Sequence, residues 1–278
     1  MQVQLVCPYW GLEGMDASAF IDRVREAGYD GIEINVPEDA GFRRDLGFEL
    51  DLLREEGSPF VFIAQQVLPP LRETPAEYIR RMQARLYELA SLQPAFINSH
   101  TGKDHFSFDD NCKAIEACIH ISAETGIPIL HETHRGRFTF HAASLLPYLE
   151  VFPDLELAAD LSHWCVVSES LLEDQASILE RVMPRVAHIH ARVGHAKGPQ
   201  VSDPRSPEWG AHLERFLGWW GAILLHRRSS GCTATTICPE FGPAPYMPAL
   251  PFTRQPIGNQ WEINVAMKTM LETWFREK

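Results

Sequence analysis

Four residues stand at matching points along this chain and could hold a divalent cation: Glu132, Asp160, His190 and Glu240. Each lies at or beside the end of a short apolar run rich in β-branched residues (127–132, 155–160, 186–191 and 235–240). Parallel strands that finish in this way bring their C-terminal ends to one mouth. Three carboxylates gathered there would repel one another in a pocket of low dielectric. A divalent cation removes that difficulty, and mixed carboxylate–imidazole ligation suits Mn2+, Mg2+, Co2+ or Zn2+. Side chains alternate along a strand, so His188 shares the face of His190 one layer deeper, whereas His131 points away from Glu132.

Further polar residues fall at the same level. Glu33 and Asn35 end the second apolar run, His100 ends the fourth, and His163 follows Asp160 by one short turn. His134, Arg135 and Arg137 follow Glu132, and Arg192 follows His190. His100, His163, His134 and Glu33 are candidate contacts for the hydroxyls of a small substrate, and Arg137 and Arg192 for an anionic group. Tyr9 and Trp10, just past the first run, are candidate walls. Other chemistries lack their signatures: there is no Gly-x-Ser-x-Gly elbow, no Cys-His pair with a local motif and no Walker-type phosphate loop.

Eight strand–helix units would position these groups. Strands are expected at 3–7, 31–35, 59–64, 95–100, 127–132, 155–160, 186–191 and 235–240. Helices are expected near 16–28, 43–57, 75–93, 108–125, 139–150, 170–183, 208–228 and 259–276. Asp16, Thr74-Pro75 with Glu77, and Ser206-Pro207 are start signals, while Gly28, Gly57 and Gly126 mark ends. Repeated strand–helix units imply parallel strands joined by crossover helices. No GxGxxG follows the first strand, and count and length favour a closed (β/α)8 TIM barrel over an open sheet. No linker divides the chain, so one domain over 1–278 is expected. Two long loops, 194–206 and 241–258, follow strands and so belong to the mouth. The second carries five prolines, which suggests a stiff cover.

Composition limits the partners. The 278 residues carry 25 Lys+Arg against 37 Asp+Glu, a net charge of −12, which opposes binding to a phosphate backbone. No stretch reaches the roughly 20 apolar residues of a membrane helix. The N-terminal run has no basic segment or long apolar core, and the six cysteines include no CxxC pair. A cytoplasmic chain with reduced thiols is therefore expected, binding neither nucleic acid nor membrane. Barrel faces often pair, so a homo-oligomer is also expected, with no residue marking the face.

Taken together, Gly31-Ile32-Glu33-Ile34, Glu132-Thr133-His134, Asp160-Leu161-Ser162-His163, His188-Ile189-His190 and Pro239-Glu240 resemble the xylose-isomerase-like TIM-barrel superfamily over nearly the whole chain. That group includes sugar isomerases and epimerases, sugar dehydratases and metal-dependent apurinic-site endonucleases. The ligand layout is most similar to the ketose 3-epimerases. The resemblance implies one Mn2+-like ion on Glu132, Asp160, His190 and Glu240, with Glu132 and Glu240 also exchanging protons with substrate and His163 touching it. The family epimerases carry Gly-Glu shortly after the second histidine and then an arginine, and this chain departs from that with Ala191-Arg192-Val193-Gly194-His195-Ala196-Lys197. The implied activity is isomerisation or epimerisation of a small polyhydroxy carbonyl compound through an enediolate. A dehydratase using the same site is the first alternative. An endonuclease-like zinc hydrolase is the second, weakened by the net charge, by a third strand that runs into Gln65-Gln66 without a histidine, and by the lack of Asp-x-His after strand seven.

Overall fold

The computed structural model describes residues 1–276. Eight parallel strands close into a barrel in sequence order: β1 (Gln2–Pro8), β2 (Gly31–Ile34), β3 (Val61–Gln66), β4 (Phe96–Ser99), β5 (Ile129–Glu132), β6 (Leu157–Ala159), β7 (Val186–His190) and β8 (Ala234–Cys238). Closure is made by β1 on β8, with Gln2 opposite Ala234 and Leu5 opposite Ile237. The expected (β/α)8 architecture is the observed one.

Helices α1 (Ala17–Glu26), α2 (Ala40–Glu55), α3 (Pro75–Ala90), α4 (Phe108–Thr125) and α5 (Ala142–Val151) follow the first five strands. The expected caps form where their chemistry predicts. Asp16 accepts from Ala19 N at 2.8 Å, and Thr74 and Glu77 make a reciprocal capping box. The second helix begins three residues earlier than expected because Asp39 caps it, accepting from Phe42 N at 2.7 Å.

The main departure follows β6. Instead of a turn there is a two-turn helix, α6 (Leu161–Ser168), whose first five residues are all buried. A short helix whose first five residues are buried and whose exposed position is Val167 shows no polar stripe, so sequence periodicity passes over it. Behind it the expected helix at 170–183 shortens to α7 (Ala176–Val182). The chain ends with α8 (Gly210–Ser229) and α9 (Gln260–Arg276).

Most of the core lies between sheet and helices, with Phe20, Ile32, Leu46, Trp164 and Trp220 fully buried. Each such side chain contributes about 1.5–3 kcal/mol by leaving water. The barrel interior has a small apolar floor of Val6, Ile63 and Cys238, and the buried polar residues Glu33, Asn98, His188 and His190 also lie inside the barrel. Gly31 permits the close approach of β2 to β3: a Cβ there would sit 2.0 Å from the carbonyl oxygen of Val61. Between β6 and β7 the register slips at Leu157/Ala158. Because side-chain direction alternates, register decides which β7 residues face inward. They are His188 and His190.

Candidate functional site

A cavity of about 370 Å³ opens at the C-terminal mouth, lined by Trp10, Gln65, His100, Glu132, Glu240 and Tyr246 among others. At its floor, Glu132, Asp160, His190 and Glu240 each present one ligand-type atom, and all four atoms lie within 4.8 Å of one another. All four residues are buried.

Glu132 ends β5. Its Oε2 accepts from Asn98 Nδ2 at 2.8 Å and pairs with His100 Nε2 at 2.9 Å, while Oε1 lies 3.8 Å from His190 Nδ1. Glu240 follows β8. Its Oε1 accepts from Gln65 Nε2 at 3.2 Å, and Oε2 stands 2.8 Å from His190 Nδ1. Asp160 caps α6, with Oδ1 accepting from Ser162 N at 3.0 Å and Oδ2 held by the Arg192 guanidinium.

At the centre of this group buried His190 Nδ1 stands 2.8 Å from Glu240 Oε2 without the alignment of a hydrogen bond. The other ring nitrogen, Nε2, lies 3.0 Å from Glu33 Oε1. With one proton kept on Nε2 facing Glu33, a cation displacing the proton from Nδ1 would meet that nitrogen's lone pair beside the three carboxylates. That donor set fits a divalent cation, because a carboxylate on the far nitrogen is the arrangement that orients a ligating imidazole.

Charge follows the same logic. Burial alone would push His190 down, but Glu240, Glu33 and Glu132 hold it well above the ordinary imidazole value. Burial likewise works against ionising Glu33 and Glu132, yet their imidazole neighbours hold both well below the ordinary carboxylate range. Asp160 is raised, because burial outweighs Arg192 and His190. His134 and His163 are pushed well down, first by burial and then by neighbouring positive groups, which leaves them neutral.

The remaining expected residues fall in two groups. His100, His134 and Arg192 line the cavity. Glu33, expected as a substrate contact, lies below the floor instead. Its Oε1 takes His190 and Asn98 Nδ2 (2.9 Å), and its Oε2 takes His188 Nε2 at 3.0 Å, so the carboxylate is committed to holding histidines. His163 is also fully buried rather than a cavity wall, with Nε2 3.0 Å from Arg192 Nη2 and its ring 3.8 Å from that of His134. Arg137 stands behind His100, with Nη2 3.3 Å from His100 Nδ1. His131 faces the helix layer and pairs with Thr101 Oγ1 at 2.8 Å.

Sequence reading missed Asn98, which bridges Glu33 and Glu132, and Tyr246, a cavity wall supplied by the proline-rich loop. Asn98 had a signal, since it shares a strand face with His100. Tyr246 packs edge-on against Trp10 at 4.9 Å and over the Arg192 guanidinium at 4.9 Å. Trp10 in turn covers Gly242, where a Cβ would meet its ring at 2.1 Å. Three side-chain amides fix this wall. Gln200 pairs with both backbone groups of Gly242, Asn264 with both of Phe241, and Gln260 donates to the carbonyls of Trp10 and Phe241.

No protein-family model matches the chain, and no curated protein matches it. Solved structures do match in fold. The probable 3-DHS dehydratase AsbF from Bacillus anthracis, involved in petrobactin synthesis, aligns over 98% of this chain and 99% of its own at 17% identity, TM-score 0.65. The IOLI protein, with a zinc atom bound, aligns over 97% of each chain at 13% identity, TM-score 0.61. A xylose isomerase-like TIM barrel protein from Mycobacterium smegmatis, in complex with magnesium, covers 87% of this chain and 91% of its own at 13% identity, TM-score 0.57. At these identities the likeness is one of fold.

Proposed function

We propose that this chain is a divalent-metal-dependent enzyme that removes a proton next to the carbonyl of a small polyhydroxy carbonyl compound, giving isomerisation or epimerisation through an enediolate. The convergence of Glu132, Asp160, His190 and Glu240 on the floor of a small mouth cavity carries this reading. Bound there, Mn2+, or Mg2+, Co2+ or Zn2+ in its place, supplies Lewis-acid stabilisation of negative charge on substrate oxygens.

The chain's own groups account for the rest. Glu132 is fixed at Oε2 by Asn98 and His100, which leaves Oε1 as the oxygen to accept a proton. Glu240 is steadied by Gln65 and reaches the same space from the opposite side of the barrel. Two carboxylates on opposite faces of one carbon would invert it, and one carboxylate serving two adjacent carbons would move the carbonyl. Trp10 and Tyr246 wall the cavity and exclude water, which strengthens every charged interaction inside.

A dehydratase remains the second reading. His134, a neutral imidazole on the cavity wall, is a further group able to move a proton where a hydroxyl lies β to the carbonyl. Among the described residues no helix is long and apolar enough to cross a membrane. The free state of all six cysteines supports a cytoplasmic setting.

The test is a panel of ketoses and keto-polyols incubated in D2O with the Mn2+-loaded protein. Deuterium at carbon is expected, and its position separates epimerase from isomerase, while loss of hydroxyl marks the dehydratase. Absence of any bound or rebindable divalent ion would overturn the reading.

A further inference from the structure

On the side of the mouth formed by the loops after β4 and β5, two half-buried cations stand without a close ion pair. Arg137 makes one hydrogen-bond contact, from Nη2 to His100 Nδ1 at 3.3 Å, and its Nε is buried with no partner. Lys103 places its ammonium 5.2 Å above the Tyr78 ring. Among the described residues neither has a carboxylate within 4 Å.

The charged groups facing Lys103 are Arg137, Arg81, Glu73 and Asp104. Arg81 consumes Glu73, donating to both of its oxygens, and Asp104 sits beside His105 at 3.1 Å. Burial and then Arg137 push the Lys103 ammonium below its ordinary value, so the two cations sense each other. Carboxylates outnumber cations 37 to 25 in this chain, yet none pairs directly with Arg137 or Lys103. Arg137 Nε is desolvated without a partner, which is costly and uncommon, and an anion between the two side chains would offset both charges. Arg192 offers no comparable seat, because Asp160 and His163 already occupy its guanidinium.

We propose that the substrate carries an oxyanion, either a carboxylate or a phosphate ester, bound by Arg137 and Lys103 on the β4–β5 side of the mouth, beyond His100, while its hydroxy-carbonyl end lies over the floor of carboxylates. This rests on the proton-abstraction reading for the role of that floor. Arg137 supplies a planar donor fork suited to either anion and Lys103 a point charge. His100 stands between Arg137 and Glu132, touching both, so a filled anion seat also fixes which substrate carbon faces Glu132.

Calorimetric titration with sorbitol, gluconate and sorbitol phosphate tests this on the full chain, both stripped of metal and loaded with Mn2+. One or both acidic probes should bind at least tenfold tighter than sorbitol, in the stripped protein as well, with the preference shrinking as salt rises. Whichever of the two leads identifies the anion. Arg137→Gln and, separately, Lys103→Gln should remove the preference while thermal melting shows the fold retained. The Lys103 variant carries the test if Arg137→Gln does not fold. Equal binding of all three probes would overturn the proposal. So would a preference that requires Mn2+ and survives both substitutions, since the anion would then be ligating the metal. Failure of deuterium incorporation would remove the proton-abstraction reading but leave these binding results standing.

Discussion

Replacing Glu33 with Gln changes one atom of a side chain that never meets the cavity, and it should weaken metal binding. The Glu33 carboxylate faces three donors: His190 Nε2 at 3.0 Å, Asn98 Nδ2 at 2.9 Å and His188 Nε2 at 3.0 Å. Two oxygens can satisfy all three. A glutamine has one oxygen and one NH2. His188 can accept the NH2 at Nε2 by moving its proton to Nδ1, 3.1 Å from the Thr236 carbonyl oxygen, which leaves His190 a neutral amide oxygen in place of a carboxylate. A hydrogen bond to a charged group is worth about 1.5–3 kcal/mol, which converts to roughly 10- to 100-fold in affinity, the range seen when outer partners of ligating histidines are changed. Isothermal titration of Mn2+ into metal-stripped wild type and Glu33→Gln at neutral pH measures it, with circular dichroism confirming the fold. A dissociation constant within twofold of wild type would refute the argument that Glu33 aims the Nδ1 lone pair of His190.

The other predictions concern the charges around the same floor. Arg192→Met should tighten Mn2+ binding tenfold or more by titration, because the guanidinium holds Asp160 and stands 3.8 Å from Glu240, so it competes with the cation for two of its carboxylates; unchanged or weaker binding would make Arg192 a support for Asp160 instead. Glu240→Gln should keep the fold and abolish deuterium exchange into substrate, and unchanged turnover would remove its assigned role. Thermal stability of the metal-stripped protein should fall as pH drops below about 4.5. Glu33 and Glu132 are held below the ordinary value of 4.5, so their contribution is full above it and is lost as they take protons. A melting temperature that stays level from pH 6 to pH 3 would count against this.

Much of this site was legible because strand ends in a parallel barrel share one address. Glu132, Asp160, His190 and Glu240 could be grouped from position alone, without knowing any distance. Alternation also placed His188 below His190 and turned His131 outward. Depth was harder to read. Glu33 and His163 sit at the right ends of the right strands, but whether a polar side chain meets solvent or another side chain depends on what its neighbours across the barrel require. His188, 155 residues away from Glu33, takes one of its oxygens, and no local pattern encodes that pairing. Helix α6 escaped for the complementary reason, since it is short and its one exposed position is the apolar Val167, which erases the periodicity that would reveal it. Tyr246 could not be chosen from its loop, because the wall it forms depends on contacts with Trp10 and Arg192.

The amide clasp at the β8–β1 seam gives the far end of the chain a hand in the chemistry. Phe241 directly follows Glu240, and both of its peptide groups are held by Asn264 of α9, while Gln260 at the start of that helix also ties down Trp10. Undocking the first turn of the final helix would therefore release the backbone next to Glu240 and the Trp10 wall in a single event. Amide exchange at Phe241 and Gly242 should keep time with local opening of α9.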